Sequence, residues 1–505
     1  MLESRQWKLG VIMNAIAYGM PKGLISLYWI QMFSTFSYAV LYSSLSLYIT
    51  KQLGLSSTLS NSIVGLFLAF NYVLHLVGGA LGGNWLSNRF VFLFTTLLQT
   101  IGIVFFIFPN ETALYWGLSL FLIGCGLNTT SFNTILTQRF SSDDSRRDKA
   151  FFYSYSAMNV GFWAGYIFSG LYDSSNQYQH IFYASIITNL ITLFLIMSSW
   201  NYLSDVGTAL NKLTNKVRTR KNVLGVVCTI LLIPALLVCF HFPSLSNGLV
   251  VLISVAMFFV LLFLAHRQKT TIDKQKIIAF LILTVTSIVF WMIYFTCPMG
   301  VTLFIKNNVD KHLLNYELAT QWILNINSLV VIIGSPLLAV LLTKLQAKGY
   351  SISVSTQFIW SFIFLGLSFF LLSIGISFAN SEGYSSLTWT ILYQITQAIA
   401  ELLIGPVGYA MIGRIAPAHL QGLLMGTWMM VSGVSASIAQ YFSNAMVKSE
   451  SINPLLSNPD FHNVFNQLTV WAFLGGVFLL LISRTLSMFK NNYLEKIAST
   501  ETVAS

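Results

Sequence analysis

Long apolar runs separated by short polar stretches dominate this chain. The runs lie near 25–50, 60–83, 90–108, 113–138, 149–171, 180–203, 222–240, 247–265, 277–305, 320–343, 353–378, 388–413, 421–447 and 463–488. Most reach the roughly 20 residues that a helix needs to cross a bilayer. They are continuous rather than alternating, which predicts helices and not half-buried strands. Fourteen spans put both termini on one side. The longest polar stretches, 139–149, 204–221, 266–276 and 306–319, are too short to fold alone. The pattern predicts an all-α polytopic membrane protein. Its parts are a terminal segment 1–24, a six-helix bundle 25–203, a linker 204–276 holding two helices, a second bundle 277–488 and a tail 489–505. The linker pair has few interior polar groups, Thr229 and Ser254 among them. Helices without a polar stripe have no reason to face a water-filled path, so they belong at the lipid-facing periphery. Residues 1–24 read as a short interfacial helix with Trp7 and Tyr18 at the headgroups.

Composition agrees with the pattern. The 505 residues are 55% hydrophobic and only 9% charged, where soluble domains carry charge on roughly a quarter of theirs. Mean hydropathy is +0.71. The net charge of +11 would suggest nucleic acid were it not so unevenly placed. With a cytoplasmic N-terminus, 23 of the 27 Lys and Arg fall in inner segments; only Lys51, Lys306, Lys311 and Lys448 lie outside. That is a positive-inside distribution. The basic excess therefore reports topology and anionic-lipid contact, with no nucleic-acid partner.

Cys125, Cys228, Cys239 and Cys297 fall inside spans without metal or redox spacing. No phosphate loop, metalloprotease helix, nucleophile elbow or dinucleotide fingerprint is present. No enzyme activity, metal or cofactor is expected beyond a proton gradient as driving force. Cys297–Pro298–Met299–Gly300 and Gly405–Pro406–Val407–Gly408 should interrupt the seventh and tenth core helices, as gating hinges or as fixed kinks. Gly78, Gly79, Gly82 and Gly83 form overlapping small-residue pairs that permit close helix contact.

An ionisable group in hydrocarbon costs about 2.5–3.5 kcal/mol. Of the sixteen acids, only Glu401 lies near the middle of a span. Thr390, Gln394, Gln397 and Glu401 share one helix face, which must look into a polar interior. Glu401 could bind a cationic substrate group or carry a proton; a protonated carboxyl bonded to a neighbouring helix is the alternative. Gln31, Ser34, Thr35, Tyr38 and Tyr42 form a similar stripe in the first span, lining a cavity or bonding between helices. Tyr155 with Asn159, and Gln321 with Asn325 and Ser328, make shorter patches. His75 could titrate near neutrality or sit neutral and hydrogen-bonded. Trp291 and Trp428 lie within spans as cavity wall or core.

Three segments carry a resemblance. The first runs from Glu401 through Gly405, Pro406, Gly408 and Tyr409 to Ala416-Pro417, Gln421-Gly422, Gly426 and Trp428. The second includes Phe290-Trp291, Pro298, Asn307-Asn308, Asn325 and Pro336, and the third Arg146-Arg147-Asp148, Phe151, Tyr155, Asn159 and Gly161. Together they resemble the proton-coupled oligopeptide transporters of the major facilitator superfamily, whose bacterial members fit the span count. The resemblance implies the major facilitator fold: two six-helix halves plus a two-helix insertion. It makes Glu401, Asn325 and Asn159 peptide contacts, with Glu401 and Asn325 receiving the substrate's amino terminus. Tyr38 lines the pocket with Trp291 and Trp428 as aromatic walls; Gln31, Tyr42 and Gln397 complete the expected site.

The family's charges are the main departure. Its first-helix E-x-x-E-R-F motif reads Gln31, Met32, Phe33, Ser34, Thr35, Phe36 here. Tyr42 stands for an arginine that holds the peptide carboxylate, Thr129 for the fourth-helix lysine, and Asn88 for the superfamily's acidic loop position. Losing acids and bases together avoids stranding one buried charge at about 3–5 kcal/mol. The expectation is a monomeric secondary transporter of the bacterial inner membrane, both termini cytoplasmic, moving di- or tripeptides or peptide-like amines by alternating access. Any coupling proton must use Glu401 or His75. An exporter of cationic drugs or metabolites and a non-transporting sensor are the alternatives.

Overall fold

The computed structural model describes residues 21–504, apart from 142, 143, 145, 174, 176, 269, 270, 314, 315, 349–353 and 416–420. The proposed interfacial helix in the first twenty residues lies outside them. Helices supply nearly all of the described structure: α1 Leu24–Leu47, α2 Ser57–Leu81, α3 Asn88–Phe106, α4 Glu111–Thr137, α5 Arg146–Gly170, α6 Tyr178–Ser198, α7 Asn215–His241 and α8 Pro243–His266. Then follow α9 Thr271–Phe295, α10 Thr302–Asn308, α11 Thr320–Ala347, α12 Val354–Ser377, α13 Leu387–Ile415, α14 Gln421–Met446 and α15 Pro454–Ala504. Helix α1 runs on into a π turn at Tyr48–Gln52, and α9 and α10 join through another at Cys297–Val301 into a single span. Among the described residues, eleven spans are long and apolar enough to cross a membrane. With α4, α5 and α14, which have the length at 27, 25 and 26 residues, the described helices match all fourteen apolar runs.

Two compact units divide the chain. One holds α1 up to Leu41, Leu74–Phe168 and Gln179–Leu237; the other holds Tyr42–Val73, Ser169–Tyr178 and the chain from Val238 on. In the first, Gly78 lets α2 rest on α4, since a Cβ there would lie 2.8 Å from the Leu127 carbonyl oxygen. Gly161 and Gly165 of α5 likewise press against Met32, Thr35, Phe36 and Ala39 of α1. In the second, α12 packs on α13 and α15, α9 on α14, and α11 on α13.

Only one of the two expected helix interruptions forms. At Cys297–Val301, Pro298 withholds a backbone donor and Met299 leaves helical geometry (φ −114°, ψ −105°). Helix α13, by contrast, runs through Gly405–Pro406–Val407–Gly408 to Ile415. A membrane helix tolerates one missing bond when neighbours make it up. The α7–α8 pair has the least buried apolar windows, 22% and 17%, against 61% for α2. Thr229, buried in the protein, and the half-buried Ser254 bond back to the carbonyls of Gly225 and Val250, as a hydroxyl inside a helix can when no other partner is near.

Charged networks lie at helix ends. Gly83 turns the chain between α2 and α3 at φ +75°, a conformation that suits glycine. Ser87 makes no side-chain cap on α3; Asp205 accepts the Asn88 N–H instead, at 2.9 Å. Burial raises the Asp205 carboxyl above its ordinary range, against the Asn88 bonds and the nearby Arg89 and Arg139. Arg89 donates to the Trp200 carbonyl and stacks on its ring, and Arg139 donates to the carbonyls of Tyr202 and Ser204. The loop 199–205 is thereby fixed to the start of α3 and the end of α4.

A second network lies within the other unit. Asp173, 3% exposed, accepts Lys51 Nζ at 2.8 Å, the Tyr178 hydroxyl at 3.3 Å, Gln321 Nε2 at 3.4 Å and the Thr320 N–H at 3.4 Å. It therefore caps α11 while holding the end of the α1 span. Burial works to raise its pKa, but Lys51, with Lys311 and Gln321, outweighs that and holds the carboxyl low. Lys306 donates to Thr50 Oγ1 at 3.1 Å and Lys311 pairs with Glu317 at 2.8 Å. The polar stretch 306–319 is no plain loop: β1 Val309–Asp310 pairs in parallel with β4 Ser385–Ser386, and β2 His312–Leu313 with β3 Tyr316–Glu317 as a hairpin.

Asp205→Ala should lower thermal stability in detergent by about 1 kcal/mol, the usual cost of a lost helix cap. Lys51→Met should cost on the order of 3 kcal/mol, because it strands a buried carboxylate. A depressed carboxyl contributes fully above its unfolded pKa, about 4, and loses that contribution as pH falls through the folded value. Thermal unfolding between pH 7 and 3 should therefore show an acid-side loss that Asp173→Asn diminishes.

Candidate functional site

The expected site residues fall in both units. Gln31, Tyr38, Asn159 and His75 belong to the first; Tyr42, Trp291, Asn325, Gln397, Glu401 and Trp428 belong to the second.

In the first unit the α1 stripe is partly self-bonded. Gln31 Nε2 donates to Thr35 Oγ1 at 3.4 Å, one turn on, and the Ser34 hydroxyl donates to the Gln31 carbonyl. Tyr38 meets Phe162 edge-on, with ring centres 5.9 Å apart. The Asn159 amide donates to the Tyr155 carbonyl at 2.9 Å, so part of its capacity serves its own helix. Thr129 is exposed and bonds back to the Cys125 carbonyl. His75 is buried in α2, where its backbone carbonyl accepts the Thr130 hydroxyl.

In the second unit Glu401 is the centre. Its Oε2 accepts the Tyr294 hydroxyl at 2.6 Å, a short bond typical of a charged or strongly shared acceptor. Asn327 of α11, two residues beyond Asn325, is a second polar neighbour of this carboxyl. Tyr294 stands in an aromatic group: ring centres lie 5.2 Å from Trp291, 5.8 Å from Phe295 and 6.4 Å from Phe290. Trp291 stacks on Phe295, which in turn meets Tyr72 of α2. These rings surround the tyrosine that donates to the carboxyl. Tyr42 also acts on the Tyr294 hydroxyl, so the α1 position that replaces an arginine sits in the same polar surroundings. Asn325 is 6% exposed and Gln397 1%. Trp428 is buried against Phe280, at 6.4 Å, in the packing between α14 and α9.

Tyr294 and Asn327 were not singled out from the sequence. A signal existed for Tyr294: a hydroxyl inside a span, three residues and so one turn from Trp291. Asn327 had none, because its partner lies on another helix. A carboxyl held by a phenol and an amide, walled by aromatic rings, is suited to a substrate ammonium or a proton. No group of His, Cys, Asp and Glu among the described residues could hold a metal ion. Arg147 and Asp148 of the third resembling segment, and Pro406 to Met425 of the first, have side chains outside the described set.

Comparison with known proteins bears on the family and the fold. The sequence profile of the POT family matches residues 89–460. A dipeptide and tripeptide permease A of Pectobacterium carotovorum subsp. carotovorum is 26% identical over 481 residues, covering 94% of this chain and 93% of its own. A protein of the same name from Chromobacterium violaceum is 27% identical over 461 residues, covering 89% and 90%. A crystal structure of the peptide transporter POT in complex with sulfate superposes with a TM-score of 0.82 at 21% identity, covering 94% of this chain and 96% of that one. A POT family transporter in complex with 5-aminolevulinic acid gives 0.81 at 20%, covering 93% and 97%. These likenesses fix the fold as the fourteen-helix major facilitator type of a multi-pass membrane protein. With most of its length matched by one profile, the chain belongs to the POT family.

Proposed function

We propose that this protein is a secondary transporter of small peptides, or of peptide-like amines, working by alternating access in the bacterial inner membrane with both termini cytoplasmic. The observation that carries the reading is the half-buried Glu401 carboxyl on Tyr294, in a chain whose relatives are named dipeptide and tripeptide permeases. Glu401 receives the substrate's amino group, with Asn325 as a further peptide contact and Trp291, packed on Tyr294, as an aromatic wall; Asn159 is a peptide contact expected in the first unit. A charge-assisted bond to an ammonium is worth about 1.5–3 kcal/mol, so most of the recognition energy lies at this end.

The other end of the substrate is held less strongly. Thr129 and Tyr42 stand where the family's cations would meet a carboxylate, and neither carries a positive charge. The substrate is therefore gripped by its amine and tolerant at its carboxyl end. The same glutamate is the coupling group: substrate ammonium and proton compete for it, which ties loading to the proton gradient. The protein acts as a monomer.

Binding by ITC to purified protein tests the grip. N-acetylation of a dipeptide should weaken binding by about tenfold to a hundredfold, the cost of the lost charged bond. Amidation of its carboxyl end should change binding by less than about threefold. Equal binding of amine-blocked and free peptide would overturn the reading. In proteoliposomes, Glu401→Gln should abolish accumulation of labelled dipeptide under an inward proton gradient; a variant that still concentrates it would remove Glu401 as the proton carrier.

A further inference from the structure

Helix α13 carries more on its polar face than Glu401. Thr390, Tyr393 and Gln394 are fully buried and Gln397 is 1% exposed. The two hydroxyls, and both polar atoms of each amide, find no hydrogen-bond partner of good geometry in the protein. The Cys297 thiol, at the broken α9–α10 span, lies beside Tyr393 and Gln394, and the Gln397 amide lies one turn along beside the Tyr393 hydroxyl. A thiol is a weak donor and acceptor and does not replace the missing bonds.

Each buried polar group left unpaired costs about 1–3 kcal/mol. Six such atoms along one stretch of helix are too many for a dry core, and buried polar groups without protein partners are normally met by ordered water. The row has a direction. It starts one turn inside the Leu387 end of α13 and reaches Glu401 after about 16 Å of helix rise. The proposed orientation puts the Leu387 end outside. Tyr294, Tyr42 and Cys297 are the titratable groups around the carboxyl. Tyrosine and cysteine ordinarily ionise above about pH 8, so Glu401 is the proton acceptor at the end of the row.

We propose that the row Thr390–Tyr393–Gln394–Gln397 is a water-filled proton route from the outer end of α13 to Glu401, serving in place of the first-helix charges that this chain lacks. It rests on the reading of Glu401 as the coupling group. The Thr390 and Tyr393 hydroxyls both donate and accept, so they pass a proton along with the waters between them. The amides of Gln394 and Gln397 keep their protons and orient those waters. One proton enters at the outer end. The last water gives one up to a Glu401 oxygen, an O–H bond forms there, and the carboxylate becomes a neutral carboxyl. No co-reactant is needed.

Apolar isosteres separate this role from packing. Gln394→Met, Thr390→Val and Tyr393→Phe each delete an unpaired polar group while keeping its shape, which should leave apparent Tm unchanged or raised. Two transport assays then divide. Counterflow exchange of labelled dipeptide moves no net proton, and it should stay within about twofold of wild type. Accumulation under an inward proton gradient should fall at least about tenfold, as when a positioned proton-transfer group is lost. Variants that accumulate as wild type does would overturn the route. Should Gln394→Met lose exchange as well, Tyr393→Phe, which differs by one oxygen, decides the matter by the same pair of assays. A wild-type protein that exchanges dipeptide without accumulating it would overturn both the coupling reading and the route. Absence of exchange in wild type would count against peptide transport itself.

Discussion

Hydrocarbon offers no hydrogen bonds, and the structure follows from that constraint. Every backbone donor and acceptor in the membrane must be met within the protein, which leaves helices as the building element. Many side-chain hydroxyls follow the same rule, though others, such as Ser131, Thr284 and Ser287, do not. Thr229 and Ser254 at the periphery, and Thr95 and Ser435 in the packed interior, turn back onto carbonyls one turn earlier. Against that background a polar group without such a solution is conspicuous. Glu401 solves its problem with Tyr294, and the row above it on α13 does not solve it with protein atoms at all.

The charges excluded from the spans are put to use at helix ends. Asp173 is a short-loop acid by sequence, yet it meets Lys51, Tyr178 and the start of α11 together. Asp205 does the same for the start of α3, with Arg89 and Arg139 fastening the loop around it. Each carboxylate sits at a helix N-terminus, where unpaired N–H groups favour negative charge. The start of α3 at Asn88 thus obtains a carboxylate from elsewhere in the chain.

The charge losses inside the membrane have no such replacement among the described residues. Thr129 is exposed on α4 and Tyr42 borders the Tyr294 hydroxyl, but neither restores a cation. What the second unit holds is a carboxyl on a phenol, with aromatic rings around that phenol. On the proposed function, this one acid would serve both the substrate amine and the proton.

The sequence by itself determined the spans and the membrane class. Both follow from the cost of moving a side chain or peptide group into hydrocarbon, and that cost is local; the same cost singled out Glu401 for attention. The sequence could also name Asn159, Asn325, Trp291 and Tyr38 through resemblance, because a motif is a local pattern. Partnerships were decided only by the tertiary structure. Tyr294 on Glu401, Asp205 on Asn88 and Asp173 on α11 each join residues more than a hundred positions apart, and nothing in either stretch alone specifies the other. The backbone course at Pro298 and Pro406 was likewise settled by packing. The same residue type breaks one span and leaves the other helical, since a missing hydrogen bond matters only where the neighbours do not compensate for it.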